Sequence, residues 1–179
     1  MRILAFSGSL RAASVNSALL RAAARLAPSD LSVTVSDDAG NLPLFNPDRD
    51  ADPPAIVARF RSQVASADAL MIASPEYAHG VTGTIKNALD WLVSFEPFAQ
   101  KPVAILNASR RAYHADAALR EVLRTMAAIV VEVASITIPL VAASSPAIIV
   151  QRVLPVRSFP RQRRRSSQCR HAREVRADL

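Results

Sequence analysis

The sequence predicts an α/β domain built on a doubly wound parallel sheet of five strands. Three observations carry this expectation. Short, continuously apolar runs recur along the chain, as strands covered on both faces require. Segments of helical length and periodicity alternate with them. Three of the four glycines, Gly8, Gly80 and Gly83, gather in the turns after the first and third runs, where such sheets bind ligands.

The elements follow in order. Arg2–Phe6 reads as a buried strand, and Ser7–Ala13 as a polar turn. Ser14 is a good N-cap for a helix over Ser17–Leu26 that stops before Pro28. Leu31–Val35 alternates apolar and polar residues as a second strand. Residues 37–54 form a long loop with Gly40, Pro43, Pro47, Pro53 and Pro54, and loops of this length in compact domains are often functional. Ala55–Ala65 is a helix. Ala69–Ala73 is a wholly apolar third strand, closed by Ser74-Pro75 because proline does not continue a central strand. Thr84–Val93 is a helix with Ile85, Leu89 and Leu92 along one face. Pro102–Leu106 is the fourth strand. Ala112–Ala128 is a helix with Leu119, Val122, Leu123 and Met126 on its apolar stripe. Ile129–Ile138, a β-branched run, is the fifth strand.

A chain of 179 residues fits one domain with a substantial core. The N-terminal apolar run is too short for a secretory signal, and no eighteen-residue apolar stretch suggests a membrane span. Cys169 is the sole cysteine, which excludes an internal disulfide and argues against a cysteine zinc site. A cytoplasmic protein is expected. Residues 151–179 carry nine arginines against Glu174 and Asp178, a surplus equal to the chain's net charge of +7. The rest of the chain is balanced, so no basic nucleic-acid face is expected on the domain itself.

Two loops carry the chemistry. In the first, Ser9, Arg11, Ser14 and Asn16 surround a strand-to-helix turn at Gly8. Backbone N–H groups and the helix dipole favour an anion there, and Arg11 offers a fork for phosphate oxygens. A plain capping serine beside a solvated arginine would explain some of the same residues. The loop has neither G-x-G-x-x-G nor G-x-x-x-x-G-K-[ST], which excludes the usual dinucleotide and nucleoside triphosphate fingerprints. In the second loop, residues 74–83, Gly80 and Gly83 suggest close backbone approach or positive φ. A planar ring could lie against that backbone with Tyr77 as an aromatic wall; a surface turn with Tyr77 packed on the next helix is the alternative. His79 reads as an exposed loop histidine without a metal-ligating partner.

The stretches Gly8-Ser9-Leu10-Arg11-x-x-Ser14-x-Asn16, Pro75-Glu76-Tyr77 and Gly83-x-Ile85-Lys86-Asn87-Ala88-Leu89-Asp90-Trp91, with Leu42-Pro43-Leu44-Phe45-Asn46, resemble the NADPH-dependent FMN reductase family, which includes chromate and quinone reductases. The resemblance covers roughly residues 1–140. It implies a flavodoxin-like sheet of order 2-1-3-4-5 and bound FMN, with NAD(P)H as co-substrate. Ser9, Arg11, Ser14 and Asn16 would hold the phosphate; Pro75, Glu76 and Tyr77 would flank the ring, largely through backbone; Ser109 would face its edge. The expected reaction passes electrons from NAD(P)H through FMN to a quinone, free flavin, azo compound or metal oxyanion, with no catalytic side chain. A homodimer or homotetramer is implied, with Trp91 either at the subunit interface or in the core. Two departures stand out. Ala78 occupies a position where the family has asparagine, and Arg110 and Arg111 follow Ser109 in a loop that is often glycine-rich there.

The domain is expected over residues 1–143. Residues 144–179 read as an atypical arginine-rich tail, with the family's last helix missing or altered. A shifted reading frame is favoured over a basic extension that binds nucleic acid. An inactive FMN-binding protein with a damaged C-terminus is the alternative to the enzyme.

Overall fold

The structure, a computed structural model, describes residues 1–139. The expected tail over 144–179, with its altered last helix, lies outside the described residues. The elements are β1 (Arg2–Ser7), α1 (Val15–Leu26), β2 (Ser32–Ser36), α2 (Ala55–Ser66), β3 (Ala69–Ala73), α3 (Gly83–Asp90), β4 (Pro102–Asn107), α4 (Tyr113–Thr125), β5 (Ile129–Val130) and β6 (Ile136–Thr137). The sheet is parallel in the order β2-β1-β3-β4-β5. This is the order the resemblance implies.

Each central strand feeds two apolar layers, which explains its unbroken apolar run. In β1, Leu4 and Phe6 face one layer while Ile3 and Ala5 face the other. The first layer is closed by Val57, Phe60 and Val64 of α2, Ile85 and Leu89 of α3, and Leu119 and Leu123 of α4. Phe60 meets Phe6 edge to face, with ring centroids 5.5 Å apart. The second layer is closed by Leu19, Leu20 and Ala23 of α1. Emptying one large side chain from such a layer costs about 3–5 kcal/mol, because the surrounding packing relaxes only in part.

One expectation needs correction, and one alternative left open is settled. The fifth strand is not continuous over Ile129–Ile138. It runs as β5, a single 3-10 turn at Glu132–Ala134, and β6, and both short pieces pair with β4. The interruption is stabilised by Ser135. Its hydroxyl donates to Val131 O at 2.9 Å and accepts Ile105 N–H at 3.1 Å, replacing a backbone partner in the ladder. Arg120 and Arg124 bind Glu132 from α4 and hold the turn from outside.

Trp91 is a core residue of its own chain and not an interface residue. It is fully buried, its Nε1–H donates to Pro43 O at 2.8 Å, and its ring meets Phe45 edge to face at 5.1 Å. The loop after β2 is thereby pinned to α3. Asn87 adds to the pin by accepting Phe45 N–H at 2.8 Å and donating to Pro43 O at 3.0 Å.

Arg61 on α2 closes the far side of this region. Its Nε–H donates to Trp91 O at 2.8 Å, its guanidinium lies 5.4 Å from the Phe95 ring centroid, and it pairs with Asp50. The Ser94 hydroxyl, and after it the Arg61 guanidinium, hold the Asp50 carboxyl below its usual 3.8. A carboxylate depressed on folding stabilises the native state above its unfolded value and loses that contribution as pH falls through the folded value. Asp50→Ala should therefore lower the urea midpoint at neutral pH, and the gap from the parent should close as pH drops below 3.8. Urea titrations across that range measure it; a gap that is constant with pH would show that the ionised form contributes nothing.

Candidate functional site

The site is built where β1, β3 and β4 end. Strand order reverses between β1 and its neighbours β2 and β3, so the loops leaving their carboxyl ends diverge and open a crevice. Gly8 holds the crevice together. Its N–H donates to Ala73 O at 2.8 Å. A Cβ on Gly8 would lie 2.6 Å from Ile85 Cγ1, 2.6 Å from Thr82 Oγ1 and 2.7 Å from Ser74 Oγ. Any other residue there would force these three side chains to shift.

The first loop then runs to α1. Ser14 is buried, and its Oγ accepts Ser17 N–H at 3.2 Å as a helix cap. Ser9 N–H turns back to Ser7 Oγ at 3.1 Å. Arg11 is exposed and has no acidic partner among the described residues. The N–H groups of Leu10, Arg11, Ala12 and Ala13 likewise find no acceptor among the described residues. Asn16 is 8% exposed, and its Oδ1 is buried without a partner among the described residues. A buried amide oxygen left unpaired costs about 1–3 kcal/mol, so this loop is short of a group that the described residues do not supply.

The second loop is a tight hairpin. Tyr77 N–H and Gly80 O are 3.2 Å apart and Gly80 N–H and Tyr77 O 3.0 Å apart, closing a two-residue turn over Ala78 and His79. Such a turn places both central residues in left-handed conformation. Here they are Ala78 at φ 48° and His79 at φ 58°. The expectation of positive φ at Gly80 and Gly83 is thus corrected: neither glycine has it. Their surroundings are also open, with only Tyr77 O, at 3.8 Å, near Gly80. Tyr77 is 55% exposed and stands out from the surface. The N–H groups of Glu76, Ala78 and His79 have no acceptor among the described residues.

Two contacts latch this hairpin onto α4, and neither was visible in the sequence. The Glu76 carboxylate accepts Ala115 N–H at 2.9 Å. It caps a helix whose own N-cap residue, Ala112, has no side-chain oxygen to offer. The His79 ring stacks on His114 at 4.4 Å, and His114 in turn meets Tyr113 at 3.9 Å. The third loop is organised by buried Asn107. Its Oδ1 accepts Ser109 N–H at 2.9 Å, and its Nδ2 donates to Ala112 O at 3.2 Å. Ser109 is exposed at the rim, and its Oγ accepts Arg111 N–H at 3.1 Å.

The model of NADPH-dependent FMN reductases matches residues 1–142. The chain belongs to that family. Its curated relatives include an NAD(P)H-dependent FMN reductase of Pseudomonas aeruginosa, 47% identical over 113 residues, which are 61% of this chain and 60% of that protein. They also include a 2-hydroxy-1,4-benzoquinone reductase of a Burkholderia species, 43% identical over 114 residues, 61% of each chain. The chain thus spans about three fifths of the length of these relatives. Among solved structures, the flavoenzyme NAD(P)H:(acceptor) oxidoreductase of Paracoccus denitrificans superposes with a TM-score of 0.66 at 30% identity, covering 72% of this chain and 74% of that one.

For this FMN reductase family member, the hairpin yields a stability prediction. A left-handed non-glycine residue costs about 1–2 kcal/mol, and asparagine tolerates the conformation better than alanine. Ala78→Asn should raise unfolding stability by about 0.5–1 kcal/mol. Urea midpoints decide it, and an unchanged midpoint would mean the turn is not held in this conformation.

Proposed function

We propose that this protein binds FMN in the crevice between the loops after β1 and β3 and is an NAD(P)H-dependent reductase of a small acceptor. The buried Asn16 Oδ1, the backbone N–H groups of the first loop and Arg11, none with a partner among the described residues, are the observation that carries the reading. FMN presents both kinds of partner this loop lacks: phosphate oxygens that accept, and ribityl hydroxyls that donate. Ser14 contributes by capping α1 and aiming its dipole at the loop, and Ser9 by its hydroxyl at the turn.

Bound FMN would supply the redox chemistry, accepting a hydride equivalent from NAD(P)H and passing electrons to a quinone, flavin, azo compound or metal oxyanion. The chain's own residues bind and orient. Arg11 neutralises the phosphate. Pro75, Glu76 and Tyr77 line the ring with backbone, and the free N–H groups of Glu76 and Ala78 face polar atoms at the ring edge. The Glu76 carboxylate, engaged by α4, keeps this backbone in place and does not act as a base. Tyr77 shields one side of the ring from water, and Ser109 stands at its rim.

We also propose a cytoplasmic homodimer or homotetramer that acts on a small-molecule electron acceptor. Leu44, 85% exposed, is carried by the loop that Asn87 pins to α3, and Val93, 63% exposed, follows α3. These apolar side chains beside one helix support an interface there.

The test is an absorbance titration of the purified protein with FMN, then with NADPH in the absence of oxygen. A bound-flavin band at about 450 nm that bleaches on adding NADPH supports the reductase reading. A band that forms and does not bleach leaves a binding protein; no binding by folded protein refutes the site. Arg11→Ala should weaken FMN binding about ten- to a hundredfold, the value of a lost charge-assisted hydrogen bond. Gly8→Ala should weaken binding as strongly and also lower the melting temperature, because its Cβ forces the side chains of Ser74, Thr82 and Ile85 to shift.

A further inference from the structure

The loops after β1, β3 and β4 carry more positive charge than one bound phosphate requires. They hold three exposed arginines, Arg11, Arg110 and Arg111, none of which has an acidic partner among the described residues. The only carboxylate in those loops, Glu76, is occupied in capping α4. Arg11 leaves from β1, whereas Arg110 and Arg111 leave from β4, with β3 between them. Strands two apart are separated by about 10 Å, so the two groups leave from opposite sides of the loop after β3.

Arg110 and Arg111 are also held in place. Buried Asn107 bonds both ends of their turn, at Ser109 N–H and at Ala112 O, so the turn presents both side chains outward. Tyr113 follows after Ala112. It ends a column of three rings in which His79 stacks on His114, 4.4 Å between centroids, and Tyr113 leans on His114 at 3.9 Å with its plane tilted by 36°; Tyr113 is itself 63% exposed. A ring column with an accessible end accepts one more planar ring, and the flanking arginines favour one that carries negative charge.

We propose that Arg110, Arg111 and Tyr113 form the subsite for the adenosine end of the nicotinamide co-substrate and select NADPH over NADH. Adenine stacks on Tyr113. The 2′-phosphate, borne by the same ribose, meets the arginines that stand two and three positions before that ring in the chain. Only NADPH has this phosphate, so the arginines confer the preference and the tyrosine serves both dinucleotides. The inference rests on the NAD(P)H reading given above.

Two measurements on the full chain test it. The first is calorimetric titration with adenosine 2′,5′-bisphosphate and with adenosine 5′-monophosphate, which needs neither FMN nor turnover. The bisphosphate should bind more tightly; Arg110→Ala and Arg111→Ala should remove about ten- to a hundredfold of that advantage. Tyr113→Ala should weaken both ligands by a similar factor. The second is the ratio of kcat/KM for NADPH to that for NADH, which should fall at least about tenfold in the arginine variants. Equal binding of the two adenosine phosphates, or a ratio unchanged within about twofold in both variants, overturns the proposal. A parent protein that binds the bisphosphate selectively but never oxidises NADPH would refute the reductase reading and leave this subsite standing.

Discussion

The site depends on one residue having no side chain. Gly8 N–H reaches Ala73 O at 2.8 Å, and side-chain atoms of Ser74, Thr82 and Ile85 occupy the space that a Cβ on Gly8 would need. The first loop is therefore packed against both ends of the second, at Ser74 and at Thr82. Ile85 belongs to the apolar layer that also holds Phe6, Phe60 and Leu89, so the position of this contact is tied to the core. Sites on sheet ends owe their precision to this kind of coupling, because a loop alone lacks the contacts to hold a phosphate and a ring in register.

The hairpin shows how strain and latching balance. Ala78 and His79 adopt backbone angles that an L residue avoids. The Glu76 cap on α4 and the His79–His114 stack offset that cost, since each is available only while the hairpin is bent toward α4. Strain at a binding loop persists where the surroundings over-determine it. The same bend leaves backbone donors of Glu76, Ala78 and His79 free to meet a ligand. The latch also joins α4, and with it the arginine turn after β4, to the loop that lines the proposed flavin ring.

Much of the fold was legible because it rests on short-range chemistry. The bounds of β3 follow from an unbroken apolar run between Asp68 and Ser74-Pro75, and the cap of α1 from a serine three residues before an N–H that needs an acceptor. Helix ends shifted by a residue or a few, as with α4, which ends at Thr125 rather than Ala128. Its final turn unwinds where Ala127 takes positive φ. The fifth strand misled for a different reason. Its β-branched composition does favour extended chain, but Ser135 satisfies Ile105 N–H with a hydroxyl, and no residue-by-residue preference reveals a side chain standing in for backbone.

The sequence by itself determined the α/β class, the order of elements, the family, and the two loops in which polar and glycine residues gather. These properties follow from periodicity, turn chemistry and local motif, all of which act over a few residues. Only the tertiary structure decided that Trp91 is core, that the left-handed residues are Ala78 and His79 and not the neighbouring glycines, that Glu76 caps a helix 39 residues away, and that His79 meets His114. Each of these depends on which distant groups the sheet brings within hydrogen-bonding or stacking distance. That information lies in the packing of strands and helices, where long-range contact overrides the preference of any single residue.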